Sequence, residues 1–162
     1  MSDVPQTTAP TAEPPRRIDW RHAFFSLDGR LSRRGFWAAA LVTAVLSFAV
    51  YFLLAAAMGV RESSRRNEAI AVASLVEFGV MLWPRIAIEI KRLHDFDWSG
   101  WWALPMNLLQ LAAVLVYAAA QHGNDDESTV VGLGVSILVL LAIVLGTPRG
   151  DARENRFGLP TG

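Results

Sequence analysis

From Phe36 to Val60 the chain runs 25 residues without a charged side chain. A helix of that length is about 37 Å long, enough to cross a hydrocarbon core of about 30 Å with some tilt. Lipid offers the backbone no hydrogen bonds, so such a stretch must satisfy its own amides, and a helix does this residue by residue. Three further apolar stretches follow: Ala69 to Ile90, Trp101 to Ala120 and Thr129 to Thr147. The expected fold is an all-α integral membrane protein, a four-transmembrane-helix bundle with spans 36–60, 69–90, 101–120 and 129–147. Only 19% of residues are charged, below the roughly 25% usual in soluble domains, and they fall in short blocks between the apolar runs. Formal net charge is zero and cysteine is absent. Composition therefore makes no case for a nucleic-acid partner, a disulfide or a thiolate metal site.

The flanks read differently. Residues 1–15 are rich in Pro, Thr and Ala and bury too little to offset the entropy of ordering, so a disordered tail is expected. Residues 16–35 form an Arg-rich juxtamembrane segment in which six arginines alternate with Ile18, Trp20, Phe24 and Phe25. Asp28-Gly29 is a turn signal, and Ser32 is placed to cap the helix that follows. Ser32 to Phe36 also resembles a twin-arginine export signal, with Ala55 to Ala57 as a cleavage site. The apolar run is longer than a signal segment and three more follow it, so it reads as a retained span. Residues 148–162 are a polar, basic tail.

Counting lysines and arginines orients the bundle. Eleven gather on one side, in the N-terminal block, at Lys91 and Arg92, and in the tail; Arg61, Arg65 and Arg66 are the three on the other. Cytoplasmic segments carry the positive excess, so both termini and the stretch Lys91 to Trp102 are expected in the cytoplasm, N-in and C-in. Trp37, Trp98, Trp101 and Trp102 then fall at that same interface as anchors, with Trp83 near them.

Three motifs stand on that side. They are Phe25 to Trp37, reading FSLDGRLSRRGFW; then Arg92-Leu93-His94-Asp95 with Ser99-Gly100-Trp101-Trp102; then Glu154 to Gly158, reading ENRFG. In this order and at these distances they resemble a bacterial inner-membrane family known only as domain of unknown function 805, across roughly residues 24–158. The resemblance implies a small multi-pass protein of the bacterial cytoplasmic (inner) membrane with no assigned reaction. It also implies a glycine after the His-Asp pair, where this chain has Phe96-Asp97-Trp98.

Unpaired charges at a membrane edge are costly, so the charged residues of the three motifs are expected to find each other or lipid phosphate. Arg33, Arg34, Arg85, Glu89, Arg92, His94, Asp95, Glu154, Asn155 and Arg156 are the expected cytoplasmic cluster. One reading makes it a lock between helices; another makes it a site for a lipid headgroup, a small anion or a partner protein; a third makes it catalytic. The partners expected are the lipid bilayer with its anionic lipid, and a membrane partner protein or a second copy of the chain. His94 beside Asp95 fits a general base, a metal ligand or a polar turn, and His22 and His122 are too distant in sequence to complete a metal set. Asp97 or Ser99 is expected to cap the third span. Glu77, in mid-span, is the other polar position: a proton or cation site, or a carboxyl hydrogen-bonded to Asn107 or Gln110. Arg85 is expected to snorkel to the interface. No nucleophile with its base is visible, and no metal or cofactor is expected. The expected function is that of a non-enzymatic inner-membrane component with a binding rim; the alternative is a small oligomeric transporter or channel using Glu77.

Overall fold

The computed structural model describes residues 19–58, 66–120 and 127–159, and these hold five α-helices and no strand. The tail expected at 1–15, residues 61–65 with two of the three far-side arginines, and His122 lie outside the described residues.

Helix α1, Trp20–Phe25, is short and starts at Asp19, whose carboxylate accepts the backbone N–H groups of Arg21 and His22. Helix α2, Arg33–Ala57, starts at Ser32, whose hydroxyl oxygen accepts the Gly35 N–H at 3.2 Å. The cap, not the apolar run, sets the first turn, so Arg33 and Arg34 are helical with their side chains exposed. Helix α3, Arg66–Asp95, continues through Pro84. At about 45 Å it is longer than the expected second span at both ends. A 3-10 turn, Gly100–Trp102, leads into α4, Ala103–Ala120. Of the two expected caps, Ser99 takes the part, accepting the Trp101 N–H at 3.4 Å. Helix α5 is Glu127–Gly146.

Three helical stretches, Arg33–Ala57, Arg66–Asp95 and Gly100–Ala120, are long and apolar enough to cross a membrane. Their surfaces suit lipid. On α2, Leu41, Phe48, Phe52 and Leu53 are 64–71% exposed, an apolar face that a soluble monomer rarely shows water.

Helices α2 and α3 pack together, as do α3 and α4, and α4 and α5, while α1 lies against α3. The buried core is Leu31, Phe36, Ala39, Ile88, Leu93, Ala103 and Leu145. Leu31 stands just before α2, and the others belong to the start of α2, the end of α3, the start of α4 and the end of α5. Antiparallel succession thus brings one end of every long helix to a common base. Alanines such as Ala39 and Ala87, both fully buried, let the backbones approach closely there. The three sequence motifs lie at this base.

Candidate functional site

Arg92, on the last turn of α3, is fully buried. Its Nε donates to the carbonyl of Leu145 at 2.7 Å, its Nη1 to that of Leu31 at 3.2 Å, and its Nη2 to that of Pro148 at 2.6 Å. Leu145 lies in the last turn of α5, where carbonyls lack a helical partner and the helix dipole favours a cation. The guanidinium also stands 4.5 Å from the Phe96 ring centre. One side chain therefore joins the ends of α3 and α5, the segment before α2 and the segment after α5.

Asp95 lies one turn further along α3 and is 3% exposed. Its carboxylate accepts Arg92 Nη1 at 2.5 Å on one oxygen and Arg30 Nε at 3.0 Å on the other. Arg30 extends the net, donating to the carbonyls of Asp151 at 2.5 Å, Arg153 at 2.9 Å and Gly158 at 3.1 Å. Two guanidiniums share one carboxylate, and backbone carbonyls accept most of their remaining donors. A buried charge without such partners would cost several kcal/mol. The Asp151 N–H returns a bond to the Asp95 carbonyl at 2.8 Å. Between them the backbone at Gly150 passes so close that a Cβ there would fall inside the Asp95 carboxylate.

The surrounding bonds repeat this theme of basic side chains tying down free carbonyls. Lys91, 1% exposed, donates from Nζ to the carbonyls of His22 and Ala23 at the end of α1. His94 Nδ1 lies 3.2 Å from the Gly29 carbonyl, and its ring stacks on Phe157 with centres 3.6 Å apart. Asn155 donates to the His94 carbonyl at 2.9 Å and, through Oδ1, accepts the Phe157 N–H. After Asp95 the chain reverses at Asp97, which has φ +58°. Trp98 N–H bonds back to the Leu93 carbonyl at 2.9 Å and Asp97 N–H to that of His94, closing the helix end. This left-handed position is one glycine occupies without strain, which gives a physical reason for the glycine implied here. Asp97 tolerates it, and Arg156 holds it, with Nε 3.1 Å from its carboxylate and Nη2 donating to its carbonyl.

Two separate polar groups lie deeper in the bundle. Arg85 does not snorkel. Its Nη2 turns inward to Glu77 Oε1 at 2.7 Å and to Ser47 Oγ of α2 at 3.0 Å. Asn107 and Gln110 bond to Glu89, not to Glu77: Asn107 Nδ2 donates to Oε2 at 2.5 Å and Gln110 Nε2 to Oε1 at 3.1 Å, joining α4 to α3.

The expected single cluster thus divides. Arg92, His94, Asp95, Asn155 and Arg156 come together at the base. Arg85 and Glu89 belong to the two interior groups, while Arg33, Arg34 and Glu154 are exposed and stand outside the net. Arg30 and Lys91, central to the net, were not singled out by the sequence. Trp37 donates from Nε1 to the Gly146 carbonyl at 3.0 Å, while Trp98, Trp101 and Trp102 keep 54–79% of their surfaces exposed. Among the described residues no group of His, Asp and Glu is placed to hold a metal. The base net is saturated with backbone bonds, so its chemistry is that of a clasp. Groups that remain available to an outside ligand are the exposed arginines beside it.

A family model described as "Protein of unknown function (DUF805)" matches residues 24–159. The chain is 31% identical over 140 residues to the uncharacterised protein YiiR of Escherichia coli K12, covering 85% of this chain and 86% of that one. The same protein from Escherichia coli O157:H7 matches equally. Neither the family description nor these relatives carry an assigned reaction. No solved structure matches.

Proposed function

This chain belongs to the DUF805 family, and from that premise we propose that it is a non-enzymatic, four-span component of the bacterial inner membrane whose cytoplasmic rim binds anionic lipid headgroups. The observation that carries this is the contrast between the arginines. Arg30 and Arg92 are buried and committed to Asp95 and to backbone carbonyls. Arg33 and Arg34 face outward in the first turn of α2. Cations are unfavourable at the positive end of a helix dipole, and an anion there is favourable. Exposed Trp37, one turn on, is suited to the headgroup level. Two arginines that the fold does not consume, beside an interfacial tryptophan, fit lipid phosphate.

The test is native mass spectrometry of the protein released from mixed phosphatidylethanolamine and phosphatidylglycerol. Wild type should retain phosphatidylglycerol preferentially, and Arg33→Ala/Arg34→Ala should lose that preference while keeping its fold. Equal retention by both would overturn the reading. An added protein mass that disappears in the variant would transfer the rim from lipid to a partner protein or a second copy. The transport alternative has less support, because Arg85 holds Glu77.

A further inference from the structure

Between α2, α3, α4 and α5 lies a cavity of about 510 Å³, within the range of small-molecule sites. It lies among the long helices, and neither Arg33 nor Arg34 lines it. Its walls are mostly apolar, with rings from Phe36, Phe48, Tyr51 and Phe78. Arg85, Glu77, Glu89 and Gln110 also line it.

The ionisable groups on this wall are not matched one to one. One guanidinium faces two carboxylates, and that guanidinium is already bonded to Glu77 and Ser47. Glu89 accepts from the Asn107 and Gln110 amides and has no guanidinium of its own within ion-pair distance among the described residues. The unmet hydrogen bonding has the same sign. The buried side-chain polar atoms left without a partner among the described residues are both acceptors: Gln110 Oε1, on a residue that lines the cavity, and Asn107 Oδ1, on a residue behind the wall that bonds to Glu89. Gln110 is 5% exposed and Asn107 4%, so water reaches neither freely. Buried acceptors seek donors. An acceptor-bearing cavity with two carboxyl groups to one guanidinium and aromatic walls is complementary to a compact cation with N–H groups and an apolar body. An anion would meet Glu89 without a free counter-charge. A neutral alcohol would satisfy Gln110 and leave the charge unmatched.

We propose that this cavity is a binding site for a lipophilic amine, its ammonium held by Glu89 and Gln110 and its apolar body against the rings of α2 and α3. The rim proposal does not enter this argument, and either can fail alone.

Three probes with one apolar cage and different heads separate the possibilities: 1-adamantanamine, 1-adamantanol and 1-adamantanecarboxylate. Each is titrated calorimetrically into the protein in lipid nanodiscs, with empty nanodiscs subtracted. The amine should bind saturably and at least about tenfold more tightly than the other two. Glu89→Gln should weaken the amine about tenfold or more and leave the alcohol unchanged. Ala113→Phe, which fills the cavity from α4, should abolish amine binding while the unfolding transition persists. If Glu89→Gln does not fold, Gln110→Leu and Ala113→Phe carry the test. Alcohol or carboxylate binding as tightly as the amine, no saturable binding of the amine, or amine binding indifferent to Ala113→Phe would overturn the proposal.

Discussion

Asp95 serves two arginines at once, and its neighbours leave no room to rearrange. Removing it by Asp95→Ala leaves two buried guanidiniums without a counter-charge. The expected loss is about 3–5 kcal/mol, read as a lower midpoint in an SDS unfolding titration. Asp95→Asn keeps the shape and removes the charge, so a midpoint equal to wild type would show that the charge itself does not matter. Gly150→Ala should destabilise as well, because its Cβ would overlap the Asp95 carboxylate. Asp97 tests backbone strain in the opposite direction. Asp97→Val places a β-branched residue at φ +58° and should cost about 1–2 kcal/mol. Asp97→Gly relieves strain but gives up the Arg156 bond, and its midpoint should fall within about 1 kcal/mol of wild type. A Val variant as stable as the Gly variant would contradict the left-handed turn.

Helix α3 carries Lys91, Arg92 and Asp95 on its last turn, and the segment after α5 supplies much of what they and Arg30 bond. Ending the chain at Thr147 removes the carbonyls of Pro148, Asp151, Arg153 and Gly158. Arg30 and Arg92 then lose acceptors at about 1–3 kcal/mol for each orphaned buried donor. The truncated protein should be cut by trypsin far faster than wild type under native conditions; equal resistance would make the tail an ornament rather than half of the clasp. The helical character was legible because an uncharged run of membrane length leaves the backbone no other choice. Helix α2 begins earlier than its apolar run because Ser32 caps it, a local signal that was visible. Arg30 could not be told from its five neighbours in the arginine block, since its role comes from carbonyls more than 120 residues away. Lys91 was hidden likewise, since a lysine at an interface usually reaches water. Arg85 and Glu77 are two turns apart on one helix, and only the packing against Ser47 reveals that the long arginine points inward.

As a bundle, the molecule gathers one end of α2, α3, α4 and α5 into a charged, hydrogen-bonded base and leaves apolar flanks between that base and the helices' other ends. The base holds the helices, the exposed arginines beside it are the groups proposed to meet the headgroups, and the cavity lies among the helices. All of this depends on which side of the membrane the base occupies. The chain has no cysteine, so single cysteines can be introduced and labelled in spheroplasts with a membrane-impermeant maleimide. Asp28→Cys and Glu154→Cys mark the base, and Ser63→Cys and Asn124→Cys mark the two loops expected opposite. The prediction is that the loop positions label in intact spheroplasts, while the base positions label only after permeabilisation. Labelling of Asp28→Cys or Glu154→Cys in intact spheroplasts, or of the two on opposite sides, would contradict a four-span protein with a cytoplasmic rim.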